Sequence, residues 1–311
     1  MPNSNHPTKT PAALHSCSTV RPKAAIVYDF DGTLARGNLQ ERSFIPSVRM
    51  TKEEFWGRAK EMAEAGDADE ILCYMQLVLN RASEWGISVT EDQLRDHGRD
   101  ADLFPGLSDG SWFERMNSFA ADNSLALEHY VVSSGLFEMI MGCPISSHFK
   151  RVFASKFIYD SGKAIWPGLA INYTTKTQFL FRINKGIENS WDNERLNAYM
   201  PDHERPIPFA RMIFIGDGDT DIPSMKMMAH QGGYSIAVYD PNRDHGAIQK
   251  INKLISEDRV NFVAPADYQL DSQLDIVIKG ILGRVARVAC ERIIPRQPVG
   301  AMLGAELFGQ R

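Results

Sequence analysis

The sequence predicts an α/β fold, a doubly wound parallel sheet with a small all-helical domain inserted after its first strand. Two patterns lead to this prediction. Short apolar runs alternate with helical patterns through most of the chain, as is typical of parallel sheets built from βαβ units. Segment 38–102 departs from this alternation, because it contains consecutive helical patterns and no strand pattern. The chain has 311 residues, 43% of them hydrophobic, which suffices for one main core and a small accessory domain.

The first predicted strand follows an N-terminal tail. Residues 1–22 are rich in Ser, Pro, Thr and Asn and are predicted to be disordered. The apolar run 24–28 is typical of a buried strand and leads directly into Asp29 and Asp31. Side chains two residues apart in a strand point the same way, so these two carboxylates would repel each other without a nearby cation. A solvated turn is the ordinary alternative for such an Asp-x-Asp-Gly run.

The helical segment after this strand, 38–102, is predicted to form a cap over the sheet. Each of its helices has a start signal in which Thr or Asp is followed three residues later by Glu or Gln. These pairs are Thr51 with Glu54, Asp67 with Glu70, and Thr90 with Gln93, and Gly86 is predicted to end the second helix. Insertion directly after the first strand places the cap over the edge of the sheet at which that strand ends, where a lid can exclude water from a site.

A few residues in or near the cap are candidates for substrate contacts. These candidates are Arg36, Glu41, Arg42 and Arg49. The ordinary role of a charged residue at such a position is a solvated surface charge. Three others could line a pocket, but Met and aromatic residues are more often core, so no substrate role is predicted for Phe55, Met75 and Trp166.

The remaining elements complete the predicted sheet. Apolar strand patterns occur at 129–132, 211–215, 233–239 and 260–263, and 156–166 is typical of a hairpin with an Asp-Ser-Gly turn. The catalytic core is therefore predicted to comprise 23–37 and 103–290. Residues 291–311 contain several Pro and Gly residues and are predicted to be a C-terminal tail.

A second acidic cluster follows one of these strands. The run 211–215 leads into Gly216-Asp217-Gly218-Asp219-Thr220-Asp221. In a parallel sheet the carboxyl ends of the strands lie on one edge, where ligands bind in open α/β folds. Asp29, Asp31 and Asp217 are therefore predicted to converge on one hard cation. Oxygen ligands with a partly open shell suit Mg²⁺.

These two acidic runs carry a family resemblance. Asp29-Phe30-Asp31-Gly32-Thr33 and Gly216-Asp217-Gly218-Asp219-Thr220-Asp221 resemble the first and fourth motifs of the haloacid dehalogenase superfamily of phosphohydrolases. The resemblance is best to phosphoserine-phosphatase-like members with a helical cap. It covers about 23–37 and 103–285, and it implies a Rossmann-like core and a Mg²⁺ cofactor.

The resemblance also implies roles for these acids. Asp29 is expected to be the nucleophile that forms an aspartyl-phosphate, and Asp31 is expected to exchange a proton with the leaving alcohol and then with water. Asp217 is expected to bind the metal directly, as are Asp29 and Asp31. Asp221 is expected to orient a metal-bound water or the catalytic lysine, with Thr33 in a supporting role, whereas Asp219 has the weakest claim to a role.

Two further motifs of the family have candidates in this chain. In the second motif, Ser134 is expected to hydrogen-bond a phosphate oxygen beside Gly135, with Ser133 as the alternative; capping a helix is the ordinary role for such a serine. In the third, Lys176 is expected to neutralise phosphate at the start of a helix capped by Thr174 and Thr175. Lys185 is the alternative lysine, although its position before Gly186 also fits an ordinary C-terminal cap.

Composition limits the classes of partner. The formal net charge of −5 and the pI near 5.9 predict neither a nucleic acid nor a membrane partner. Four cysteines without metal-ligand spacing predict a reducing, cytoplasmic setting. No apolar run approaches the length of a membrane span. The oligomeric state is left open.

The sequence thus predicts a magnesium-dependent phosphatase that acts on a small-molecule phosphomonoester. Asp31 favours ester hydrolysis over carbon–halogen cleavage, because dehalogenating members of the superfamily do not use this acid in the same way. Two alternatives are a phosphotransferase or phosphomutase with the same intermediate, and a catalytically silent binding module on the same fold.

Overall fold

The computed structural model describes residues 21–218, 220–242 and 253–293, with side chains up to residue 289. Most of the two predicted tails, 1–20 and 294–311, lies outside the described residues, as does Asp219. A seven-stranded sheet with helices on both faces forms the body of the protein, which confirms the predicted fold class. The strands are β1 Lys23–Tyr28, β2 Ala126–Leu136, β3 Arg151–Asp160, β4 Lys163–Leu169, β5 Met212–Gly216, β6 Tyr234–Tyr239 and β7 Phe262–Pro265.

The order of the strands in the sheet is β4-β3-β2-β1-β5-β6-β7. Neighbouring strands are parallel except β3 and β4, which form the predicted antiparallel hairpin with its turn at Ser161 and Gly162. The last strand lies slightly later in the chain than the predicted run 260–263. Because β1 is central and pairs with both β2 and β5, the three predicted motifs that follow these strands meet at one edge.

Helices connect the strands and cover the sheet. Between β1 and β2 lie α1 Leu39–Arg42, α2 Phe44–Ser47, α3 Lys52–Gly66, α4 Glu70–Glu84, α5 Glu91–Gly98 and α6 Ser111–Asp122. Further along are α7 Phe137–Gly142, α8 Thr175–Lys185, α9 Asn193–Asn197, α10 Ile222–His230 and α11 Gln273–Ile293. Within the described residues, no helix has both the length and the apolar character needed to cross a membrane.

The alternating side chains of β1 separate two cores. Ile26 and Tyr28 pack on one face of the sheet with α6 and the helices that precede it, whereas Ala25 and Val27 pack on the other face against α8 and α10. All four side chains are fully buried. Burial on both faces explains why the strand is a continuous apolar run rather than an alternating one.

The starts of α3 and α5 agree with the prediction, and the start of α4 does not. Thr51 and Thr90 each form a full capping box with Glu54 and Gln93. The N-cap residue of α4 is Asp69 instead of Asp67. Asp69 Oδ1 accepts hydrogen bonds from the backbone amides of Ile71 and Leu72, at 2.9 and 3.0 Å. Asp67 instead ends α3 in a left-handed conformation, with φ of 46°. Helix α4 ends at Glu84, two residues before Gly86, whose φ of 64° turns the chain.

Candidate active site

Three carboxylates meet where β1 and β5 end. The backbone amide of Asp29 donates a 2.8 Å hydrogen bond to the carbonyl of Ile215 in β5, which fixes the two strand ends side by side. Carboxylate oxygens of Asp29, Asp217 and Asp221 all lie within 4.8 Å of one another. The structure therefore brings Asp29 and Asp217 together as the sequence predicts, and the third member of this cluster is Asp221 rather than Asp31.

Asp31 lies outside that cluster of three. Its Oδ1 accepts a 3.1 Å hydrogen bond from the backbone amide of Leu39, at the start of α1. Burial, reinforced by the nearby Asp29 carboxylate, raises the pKa of Asp31 to about 8. Thr33 is buried in the tight loop that follows, where its carbonyl accepts a 2.8 Å hydrogen bond from Tyr268. Burial raises the pKa of Asp29 as well, but the two acids of the first motif have different hydrogen-bond partners. The pKa of Asp31 suits it to carry a proton near neutral pH.

Lys176 is the lysine at this site. Its Nζ lies 3.0 Å from Asp29 Oδ1 and 2.7 Å from Asp221 Oδ1, and it donates a 3.0 Å hydrogen bond to Thr220. Burial favours the neutral amine, but the two carboxylates outweigh it and raise the pKa of Lys176 above its ordinary value. The alternative, Lys185, lies elsewhere and donates to the carbonyls of Leu196 and Ala198, at 2.5 and 2.7 Å.

The start of α8 is capped differently from the prediction. The side chain of Thr174 makes no capping hydrogen bond. Instead, Asn172 Oδ1 accepts from the Thr175 amide at 3.0 Å, and Thr175 Oγ1 accepts from the Asn172 amide at 2.7 Å. Asn172 also reaches the cap segment, because its side-chain amide donates to Asp69 Oδ2 at 2.6 Å. The helix that carries Lys176 is therefore tied directly to α4.

The two serines after β2 have distinct environments. Ser133 Oγ is occupied by a 3.0 Å hydrogen bond from the amide of Gly135. Ser134 Oγ is buried with no hydrogen-bond partner among the described residues, and the Ser134 carbonyl accepts a 2.7 Å hydrogen bond from Tyr74 in α4. A buried hydroxyl without a partner is costly unless a ligand bonds to it. This geometry favours Ser134 over Ser133 as the phosphate contact.

Three glycines leave room for the acidic side chains. A Cβ on Gly32 would lie 2.4 Å from Asp217 Oδ2, one on Gly135 would lie 2.7 Å from Asp31 Oδ2, and one on Gly216 would lie 2.1 Å from Asp221 Oδ2. Gly32 also has a φ of 75°, which side chains other than glycine rarely adopt. The glycines of the motifs are thus required by the close packing of the carboxylates.

A pocket of about 300 Å³ opens above these groups. Its floor is formed by Asp29, Asp31, Ser133, Ser134, Gly135, Asp217 and Thr220. Its walls are formed by Asn38, Gln40, Trp56, Glu70, Ile71, Tyr74 and Tyr173. Most of the wall residues carry no functional signal in the sequence. Except for Tyr173, they come from the predicted cap, where no local pattern distinguishes a pocket-lining position from a core position.

The predicted substrate contacts lie elsewhere, and none lines the pocket. Arg36 and Arg42 pair with Asp102, and Arg49 stacks on Trp85 at 4.2 Å. Glu41 contacts two wall residues of the pocket, because its Oε1 accepts hydrogen bonds from Trp56 Nε1 at 2.8 Å and from Asn38 at 2.7 Å. Phe55 and Met75 are core residues as predicted, whereas Trp166 is 61% exposed on β4.

The acidic cluster fits a bound divalent cation. It contains three carboxylates against one ammonium group, that of Lys176. The second oxygen of Asp221 is buried and has no hydrogen-bond partner among the described residues. Hard oxygen donors with excess negative charge suit Mg²⁺ better than a softer transition metal. Asp29 and Asp217 are the residues placed to hold it, while Asp221 also pairs with Lys176.

Comparisons with known proteins agree with this geometry. The family described as haloacid dehalogenase-like hydrolase matches residues 26–226, more than half of the chain. An uncharacterized protein of Borreliella burgdorferi is 26% identical over 277 residues, which cover 80% of this chain and 93% of the relative.

Two solved structures share the fold. A HAD family hydrolase from Salmonella enterica serovar Typhi has a TM-score of 0.50 at 15% identity, covering 84% of this chain and 72% of its own. A probable phosphoserine phosphatase from Vibrio cholerae has a TM-score of 0.51 at 14% identity, covering 87% of this chain and 68% of its own. With the family match over both acidic motifs, these findings show that the chain belongs to the haloacid dehalogenase-like hydrolase family.

Proposed function

We propose that this protein is a magnesium-dependent phosphatase that hydrolyses a small-molecule phosphomonoester through an aspartyl-phosphate on Asp29. One observation carries the proposal: Asp29 is held against Lys176, while Asp31 lies outside the acidic cluster and is bonded to the Leu39 amide. Two neighbouring carboxyl groups in such different surroundings suit different chemical roles. The similarity in fold to a probable phosphoserine phosphatase supports the same reaction class.

The first half of the reaction transfers the phosphoryl group to the protein. A carboxylate oxygen of Asp29 attacks phosphorus, and the bond from phosphorus to the ester oxygen breaks as the new bond forms. Protonated Asp31 gives its proton to the departing ester oxygen, which leaves as an alcohol. The Ser134 hydroxyl holds a phosphoryl oxygen and Lys176 neutralises negative charge beside Asp29, because positioning and charge neutralisation dominate phosphoryl transfer.

The second half releases phosphate. Asp31, now a carboxylate, takes a proton from water as the water oxygen attacks phosphorus, and the bond from phosphorus to Asp29 breaks. Phosphate leaves, and both acids return to their starting states. A Mg²⁺ held by Asp29 and Asp217 would supply further positive charge to the phosphoryl oxygens.

We also propose that 38–102 acts as a cap over the core formed by 23–37 and 103–290. Two contacts support this proposal: Asp69 with Asn172, and Tyr74 with the Ser134 carbonyl, both of which join α4 to the phosphate-binding elements. A cytoplasmic location is proposed as well, because Cys73 and Cys143 are buried free thiols.

The test is phosphate release from p-nitrophenyl phosphate by the full-length protein, with Mg²⁺ and with excess chelator. Turnover is expected only with Mg²⁺, and both Asp29→Asn and Asp31→Asn are expected to lose it. Calorimetric titration with Mg²⁺ is expected to show a larger loss of binding for Asp29→Asn than for Asp31→Asn. Turnover that survives chelation, or that survives Asp29→Asn, would disprove the proposed mechanism.

A further inference from the structure

We infer that the leaving alcohol of the substrate carries a positively charged nitrogen and no carboxylate, so that the substrate is the phosphate ester of a small amino alcohol. The inference rests on the proposed function and concerns the walls of the same pocket. Four wall residues carry it: Glu70, Gln40, Trp56 and Tyr74.

The charge of the walls favours a cation. Glu70 lines the pocket at the first residue of α4, and no Lys or Arg is among the described residues that line the pocket. Within the described chain, no ion pair neutralises the Glu70 carboxylate. An ammonium group in the pocket would be attracted to Glu70, whereas a carboxylate there would be repelled without a compensating charge.

Two aromatic residues in the wall have polar groups that are already bonded. The Nε1 of Trp56 donates to Glu41, and the hydroxyl of Tyr74 donates to the Ser134 carbonyl, so neither hydrogen-bond donor is available to a ligand. The ring centroids are 5.5 Å apart and the planes meet at 72°, so the two rings pack edge to face in the wall of the pocket. Such walls bind ammonium groups and their methyl substituents through the negative ring faces.

Gln40 supplies an unpartnered acceptor. Its side chain is 1% exposed, and its Oε1 is buried with no hydrogen-bond partner among the described residues. A buried amide oxygen in this state favours a ligand that brings a hydrogen-bond donor or a positive charge. The Gln40 acceptor, the Glu70 carboxylate and the two aromatic rings therefore all favour a positively charged group that can donate a hydrogen bond or contact a ring.

The volume of the pocket limits the size of the alcohol. About 300 Å³ lies at the lower end of the range for ligand pockets, and its floor must also hold the phosphate. A short amino alcohol fits this space better than a nucleoside. Phosphoserine carries the required ammonium group, but its carboxylate would enter a pocket whose described walls contain no cation.

The test compares kcat/KM for matched esters with full-length protein and Mg²⁺. The probes are choline phosphate, ethanolamine phosphate, phosphoserine and the uncharged isostere of choline phosphate, in which a tert-butyl group replaces the trimethylammonium group. At least one of the two amino-alcohol esters is expected to exceed both the isostere and phosphoserine by more than tenfold. Glu70→Gln and Trp56→Leu are each expected to reduce that preference over the isostere at least fivefold. Matched controls are Glu53→Gln, an exposed acid in the first turn of α3, and Trp191→Leu, an exposed tryptophan; both should keep the preference.

The outcomes separate this inference from the proposed function. If p-nitrophenyl phosphate is hydrolysed but the isostere or phosphoserine is preferred, the phosphatase stands and the inference is wrong. If no ester is hydrolysed, the phosphatase proposal fails, and calorimetric titration of Asp31→Asn with choline phosphate and its isostere tests the pocket separately. Tighter binding of the cationic ester would support the inference, and equal or weaker binding would overturn it.

Discussion

The side-chain amide of Asn172 donates a 2.6 Å hydrogen bond to Oδ2 of Asp69. Each of these residues also caps the N-terminus of a helix. Asn172 caps α8, which carries Lys176, and Asp69 caps α4. One contact therefore joins the N-terminal ends of these two helices. Helix α4 cannot move away from the start of α8 without breaking it.

Exchanging the two side chains tests this contact. Asn172→Asp should lower the free energy of unfolding by about 1–3 kcal/mol, because two carboxylates would then face each other without a donor. The double variant Asp69→Asn with Asn172→Asp should recover most of this loss, since each side chain keeps an oxygen for its own cap. Urea unfolding of both single variants and the double variant measures the coupling. Additive effects would show that the contact is not energetically significant.

Replacing Lys176 should affect both stability and activity. In chelator, Lys176→Met leaves Asp29 and Asp221 buried without their cation, and we expect a loss of about 3–5 kcal/mol in the free energy of unfolding. Turnover of p-nitrophenyl phosphate should fall at least a hundredfold. Lys185→Met is the matched control, because among the described residues Lys185 donates only to the carbonyls of Leu196 and Ala198, and its turnover should stay within about twofold of the parent. Equal effects of the two substitutions would contradict the assignment of Lys176.

Adding one methyl group at Gly216 should displace Asp221. The new Cβ would lie 2.1 Å from Asp221 Oδ2, so Gly216→Ala should reduce turnover more than tenfold and destabilise the protein by about 1–3 kcal/mol. Gly280→Ala provides the comparison, because a Cβ there meets nothing within 4 Å inside α11. That substitution should instead stabilise the protein by about 0.5–1 kcal/mol. Kinetics and urea unfolding of the two variants decide the matter.

Asp31→Asn should stabilise the metal-free protein while abolishing turnover. The pKa of Asp31 is about 8 in the folded protein and about 4 in an unfolded chain, so between these values the folded state binds a proton that the unfolded state lacks. Stability contributed by this group therefore falls as pH rises through that window. Asparagine has no such dependence, so the variant should gain at least about 1 kcal/mol over the parent at pH 7.

The stability gain of Asp31→Asn should also depend on pH. Urea unfolding in chelator at about pH 5, 6, 7 and 8 should show the difference from the parent increasing with pH. A difference that stays constant over this range would mean that Asp31 ionises normally in the folded protein.

Local sequence determined the framework of the protein. The apolar runs predicted the central strands, because burial on both faces leaves no polar alternation in β1. The capping boxes at Thr51 and Thr90 predicted two helix starts, since both partners of each box lie within one turn. The acids at Asp29 and Asp217 predicted a shared site, because parallel strands present their carboxyl ends at one edge. Each of these inferences depends on neighbours in sequence or on a general rule of sheet topology.

Tertiary structure decided which side chains meet across the fold. Asp31 lies outside the acidic cluster and accepts a hydrogen bond from the Leu39 amide, and Asn172 caps α8 while it reaches Asp69. The choice between Ser133 and Ser134 depended on which hydroxyl already had a partner. Pocket walls such as Gln40 and Trp56 became visible only when the helices were placed over the sheet. The physical reason is the same throughout: sequence periodicity identifies the buried face of an element, but only packing shows which element lies opposite and which polar atoms are left for a ligand.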